Sequence, residues 1–166
     1  MSIKLAIDTS VWIESLCPDF EYYDKARVII DAIEEGRVFA LITHLTATEI
    51  LYVSYRLYRE TGLVKKDALD KAIKLFNYMV AHPYITVYID DAIAKEAALI
   101  KIKYRVALAD AYILSLARSQ GTIPVFCKVE KELERTIDHL REEFNIMFLS
   151  QDWSKLSKFF SENYFR

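Results

Sequence analysis

The sequence predicts a parallel β-sheet of four or five strands with helices covering both faces. Three observations lead there. Short apolar runs of four to five residues alternate with longer segments of helical spacing, which is how a parallel sheet with crossover helices reads. The chain has 166 residues, 53% of them hydrophobic and 28% charged, enough for one domain with its own core. With three glycines and three prolines it is neither low-complexity nor fibrous, and no internal repeat or linker-like stretch divides it.

Each element follows from local pattern. Residues 3–7 (IKLAI) read as a short buried strand ending at Asp8. Over 22–35, Ala26, Ile29, Ile30 and Ile33 keep helical spacing and Gly36 supplies the stop. Residues 38–42 (VFALI) form the second strand. A helix runs from Thr46 to about Arg59, punctuated by Gly62, and another spans 67–81 before His82-Pro83. The third strand is 85–89 (ITVYI). Helices at 91–103 and 107–119 follow, the latter stopped by Gly121. The fourth strand is 123–127 (IPVFC), a charged amphipathic helix covers 130–143, and 146–149 (IMFL) is the candidate fifth strand.

Charge and cysteine content narrow the function. Net charge is −2, so the overall field does not advertise a large nucleic-acid footprint, though it leaves room for a small one steered by metal ions. Cys17 and Cys127 are far apart, form no CxxC and read as reduced, half-buried thiols. His44, His82 and His139 make no zinc pattern and need no catalytic role. No apolar run approaches the ~20 residues of a membrane span, and Asp8 interrupts the amino-terminal segment too early for a signal peptide. The expectation is a cytoplasmic protein without a membrane partner.

Four acids carry the chemistry. In α/β folds of this kind the site lies beyond the carboxyl ends of the strands. Asp8 stands at the end of the first strand, where it could equally cap a helix or form a turn. Thr9 and Ser10 beside it could do the same. Glu49 follows the second strand, and Thr46-x-x-Glu49 also matches a capping box. Asp110 lies in VALADAYILSLA, a run apolar on almost every side. An unpaired carboxylate there would cost several kcal/mol, so it should be protonated, paired with a cation or metal-bound. Glu130 lies past the fourth strand in a charge-rich stretch that also reads as a solvated helix face. Converging carboxylates repel unless a cation sits among them, and hard divalent ions such as Mg²⁺ or Mn²⁺ prefer oxygen ligands. Such sites promote phosphodiester cleavage.

The segments IDTSVWIE, LTATEILYV, ALADAYILSLARSQG and IPVFCKVEKEL, in this order and spacing, resemble PIN-domain nucleases, and more closely VapC-type toxin ribonucleases, over about residues 3–150. The resemblance implies a three-layer α/β/α sandwich and Mg²⁺- or Mn²⁺-dependent hydrolysis of RNA. It also implies a homodimer and, for a toxin, a small antitoxin protein. It places the family's first three acids, the metal ligands, on Asp8, Glu49 and Asp110. The fourth, usually an Asp two residues after Thr or Ser, falls on Glu130, with Lys128 in the hydroxyl position. Thr9 and Ser10 take the place of supporting hydroxyls. Lys101, Lys103, Arg105 and Lys128 are candidate RNA contacts, although a solvated basic helix end explains the first three equally well.

Other functions fit less well. A HAD-type phosphatase needs a second Asp two residues after the first, and that position is Ser10. No glycine-rich phosphate loop exists. A housekeeping RNA-processing nuclease, or a degenerate module that binds RNA or a protein without cutting, remains as an alternative. Residues 151–166 extend past the 1–150 nuclease unit. There Trp153, Leu156, Phe159, Phe160 and Tyr164 are spaced to form one aromatic helix face, which should pack on its own domain or cover a partner.

Overall fold

The computed structural model describes residues 3–162. Five strands form one sheet: β1 (Ile3–Ile7), β2 (Val38–Thr43), β3 (Ile85–Tyr88), β4 (Ile123–Phe126) and β5 (Met147–Phe148). The order is β3-β2-β1-β4-β5 and every pairing is parallel. β1 is central, with Leu5 opposite Ala40 of β2 and Ile123 of β4. The chain builds outward from β1 in one direction through β2 and β3, then crosses to build β4 and β5 in the other. The direction therefore reverses between β1 and β4, where α/β sheets open a crevice at their carboxyl ends.

Helices cover both faces: α1 (Thr9–Glu14), α2 (Tyr23–Glu34), α3 (His44–Glu60), α4 (Lys65–Ala81), α5 (Asp91–Tyr104), α6 (Leu108–Gln120), α7 (Lys131–Glu134), α8 (Ile137–Phe144) and α9 (Trp153–Glu162). Strand side chains alternate between the faces. Leu5, Ile7, Val38, Ala40, Ile42 and Val125 face a core shared with α1, α2 and α9. Ala6, Leu41, Phe126 and Phe148 face the opposite core with α5, α6 and α8. This is the three-layer α/β/α sandwich.

Several boundaries differ from those read in the sequence. Helix α1 is too short to show periodicity. Helix α3 begins at His44, not Thr46, because Thr43 is its N-cap and accepts the Thr46 backbone N–H at 3.2 Å. The Thr46-x-x-Glu49 capping box is therefore absent, which frees Glu49. Residues 130–143 form two helices rather than one. The chain leaves helical geometry at Thr136 (φ −124°), whose hydroxyl donates to the Leu133 carbonyl at 3.4 Å, a local bond that competes with helix continuation. β3 stops at Tyr88 and β5 has only two ladder residues. Gly36 sits at φ +73°, and a Cβ there would come within 2.6 Å of the Tyr84 ring, so only glycine fits.

The tail packs on its own domain. Leu156 and Phe160 are buried with the first core, Trp153 lies against it, and Phe159 is partly exposed. Tyr164 lies outside the described residues. Asp152 anchors the start of α9: it accepts from both Arg141 terminal nitrogens, at 3.1 and 3.0 Å, and from the Phe148 backbone N–H at 3.1 Å. Among the described residues, no helix is long and apolar enough to cross a membrane.

Candidate active site

Asp8 follows β1 directly and is the N-cap of α1. One of its oxygens, Oδ2, accepts the Ser10 backbone N–H at 2.8 Å and the Ser10 hydroxyl at 2.6 Å. The Ser10 Oγ in turn accepts the Cys127 backbone N–H at 3.1 Å. The end of β1 is thus tied to the end of β4 through one hydroxyl. Capping and site placement coexist here, since the carboxylate that starts α1 also lies at the sheet crevice. Burial pushes the Asp8 carboxyl up to about 6, against the lowering effect of the Ser10 bonds and with help from the Glu49 charge.

Glu49 comes from the second turn of α3. The Thr9 hydroxyl donates to its Oε2 at 2.7 Å, across forty positions of sequence. Thr9 and Ser10 lie inside α1, so neither is a cap. Each instead holds one carboxylate.

Asp110 sits in the first turn of α6, 8% exposed among the buried Ala111, Ile113 and Leu114. It does not cap the helix: the N-cap is Ala107, with no side-chain hydrogen bond. No salt bridge reaches it, and its buried Oδ2 has no hydrogen-bond partner among the described residues. Burial pushes its carboxyl up to about 8, with further contributions from Asp8, Glu130, Glu132 and Glu49. All four sequence-selected acids therefore share one electrostatic field. Glu130 is the exposed N-cap of α7 and makes no capping bond. Glu132 was not singled out from the sequence, where it is one acid in a charged run; its charge nevertheless reaches Asp110.

The cationic candidates separate. The Lys101 Nζ donates to the Val106 carbonyl at 2.9 Å and fastens the α5–α6 turn. Lys103 pairs with Glu143 at 2.8 Å. Arg105 lies in a cleft between α5 and α7. Lys128 lines a separate cleft with Arg141 and Ser150. Cys127 is buried, which pushes its thiol up, and Cys17 is half-buried. The His82 Nδ1 accepts the Tyr84 backbone N–H at 3.3 Å, and His44 and His139 are exposed.

No group of three His, Cys, Asp or Glu side chains closes into a ready metal cage among the described residues. The donor set is nonetheless all hard oxygen, and the unpartnered, buried Asp110 Oδ2 is a lone pair with nothing to satisfy it. These features fit a small divalent ion that keeps several of its own waters and takes few protein ligands.

A family model described as the PIN domain matches residues 5–137. No curated protein matches the chain. Solved structures do. FitAcB from Neisseria gonorrhoeae is 18% identical, covering 90% of this chain and 99% of its own, with a TM-score of 0.58. The Sarcin-Ricin loop cleaving toxin VapC20 of Mycobacterium tuberculosis is 13% identical, covering 72% and 86%, with a TM-score of 0.56. VapBC2 from Rickettsia felis, bound to a promoter DNA fragment, is 12% identical, covering 80% and 92%, with a TM-score of 0.52. At these identities the likeness is one of fold.

Proposed function

The chain belongs to the PIN domain family, and from that premise we propose that it is a Mg²⁺- or Mn²⁺-dependent endoribonuclease, the toxin of a VapBC-type pair. The observation that carries the reading is Asp110: a buried carboxylate with an unpartnered oxygen, in the field of three further acids at the sheet crevice. Asp8, Glu49 and Asp110 would hold the ion, with Glu130 at the rim. When bound, such an ion supplies charge neutralisation at the phosphoryl oxygens and a more acidic water. The chain's own contribution is positioning. Ser10 fixes the Asp8 carboxylate and Thr9 fixes Glu49, so each enters the site with one oxygen already committed. The apolar wall of α6 around Asp110 excludes bulk water and strengthens every charge interaction in the site.

The proposal extends to organisation. Residues 1–150 form the nuclease unit and 151–166 an extension. The protein acts in the cytoplasm as a homodimer, and a small antitoxin neutralises it. The VapBC2 likeness supports the antitoxin partner. The test is RNA cleavage by purified protein. Cleavage with Mg²⁺ or Mn²⁺, stopped by EDTA and lost in Asp110→Asn, is the expected result. Intact RNA under every metal condition would leave a non-catalytic binding module, and wild-type cleavage by Asp110→Asn would refute the site.

A further inference from the structure

A cleft of about 420 Å³ lies between the carboxyl end of α5 and α7, lined by Tyr104, Arg105, Lys131, Glu132, Arg135 and Thr136. Three cations and one acid face it. Elsewhere Arg27, Arg37, Arg118 and Arg141 pair with carboxylates and Arg59 donates to the Leu63 carbonyl, while Arg56 stands alone among the described residues on the exposed face of α3, away from any second cation of this cleft. Arg105, Lys131 and Arg135 have no side-chain hydrogen bond or ion pair among the described residues, and Glu132 pairs with none of them. The cleft therefore presents a net positive charge that the fold itself does not use.

Arg105 is also placed at a cost. It is the C-cap of α5 at φ 58°, ψ 26°, the left-handed conformation that glycine adopts freely. A side chain there is disfavoured relative to glycine. The turn is held on both sides: the Arg105 N–H donates to the Lys101 carbonyl at 2.8 Å, and the Lys101 Nζ to the Val106 carbonyl at 2.9 Å. The cation is thus presented from a fixed backbone.

The cleft adjoins the acids. Lys131 and Glu132 directly follow Glu130, and the Glu132 charge reaches Asp110. A polyanion approaching four carboxylates is repelled, so attraction has to come from beside them. We propose that this cleft binds a phosphodiester of single-stranded RNA flanking the scissile bond, with Arg105 and Arg135 as guanidinium forks and Lys131 as a point charge. The inference rests on the ribonuclease reading and adds a place for a neighbouring nucleotide. An RNA strand held there carries further phosphates along the same chain towards the acids, which an acidic peptide does not supply.

The test uses the full chain carrying Asp110→Asn as a binding-only parent, with a short fluorescein-labelled single-stranded RNA and affinity measured across a salt series. Arg105→Gly, Lys131→Gln and Arg135→Gln, each added singly, should weaken binding and flatten the slope of log affinity against log salt by about 0.7. Lys4→Gln, on the amino-terminal side of β1, makes the same charge change away from the cleft and should leave the slope in place. Arg105→Gly suits the left-handed backbone, so its melting temperature should hold or rise and a folding defect cannot mimic the effect. Parental affinity and slope in all three cleft variants would overturn the proposal. So would unchanged RNA binding with lost binding of a poly-glutamate probe, which would assign the cleft to a protein ligand. A parent and wild type that bind no RNA at all would overturn the ribonuclease reading itself, and the cleft proposal with it.

Discussion

Asp110 is buried in the first turn of α6 with its Oδ2 unpartnered among the described residues. A carboxylate buried without a partner is unfavourable for the fold; the amino-terminal dipole of α6 offsets part of that cost, and a proton or a bound cation would offset the rest. Asp8 and Asp110 are both raised from 3.8, to about 6 and about 8. For acids raised in the folded state, the protonated form is the stabilised one. Their contribution is fully present below about pH 3.8 and is lost as pH rises through the two folded values. Metal-free protein should therefore melt higher near pH 5 than near pH 8, by calorimetry or dichroism. Mn²⁺ should stabilise it more at pH 8, where the acids are free to ionise. Asp110→Asn should remove much of this pH dependence and raise the metal-free melting temperature at pH 8. Cleavage should fall by about two orders of magnitude or more, if the ion contributes several kcal/mol to the transition state. An Asn variant that melts lower at pH 8 would mean that Asp110 has a structural partner after all. Thr9→Val keeps the β-branched shape and deletes only the bond to Glu49. The expected loss of activity is about 10–100-fold with little change in melting temperature, measured in the same cleavage assay.

Among the elements, α9 and its anchor are the clearest case of sequence pattern becoming packing. The aromatic spacing of the tail could serve its own domain or a partner, and burial of Leu156 and Phe160 gives it to the domain. Leu156→Ala should destabilise the protein by about 2–5 kcal/mol, and truncation after Ser150 by more, both read by denaturant unfolding. Equal unfolding midpoints would show that the tail is not integral to the core. The Asp152 anchor has its own pH signature. Burial opposes its charge, but the bonds from Arg141 and the Phe148 N–H and the charges of Arg141 and Lys155 outweigh it and hold the carboxyl below its ordinary 3.8. That stabilisation is present above pH 3.8 and is lost as pH falls through the lower folded value. Tail amides should therefore exchange faster below that pH in wild type, and Asp152→Asn should lack the step. Elements that sequence alone did not resolve have local causes. Helix α1 spans under two turns, and at the α7–α8 break the Thr136 backbone leaves helical geometry while its N–H and hydroxyl both turn back to the Leu133 carbonyl.

Across the whole molecule, the sheet was legible because each strand is a short apolar run bounded by polar or glycine residues, as IKLAI before Asp8 and VFALI after Gly36. Its order was not, since nothing local says that β1 pairs with both β2 and β4. The candidate site acids are legible as residue types at strand ends and in an apolar helix. Their support is not: the Thr9–Glu49 bond and the Ser10–Cys127 link exist only once α1, α3 and β4 meet. The Thr46-x-x-Glu49 pattern even pointed to a helix cap, because a local motif says nothing about the Thr43 that takes that role. The topological fact on which the proposed site rests is the reversal between β1 and β4: Asp8 and the β4–α7 connection lie beyond it, and the charges of Asp8, Glu130 and Glu132 reach Asp110. The most direct test of that gathering is a crystal structure grown with Mn²⁺ and phased on its anomalous signal. The account predicts a peak within about 2.2 Å of Asp110 Oδ2, shared with Asp8 or Glu49 directly or through water. A peak elsewhere, or Asp110 Oδ2 satisfied by a protein donor with no ion near it, would contradict the account.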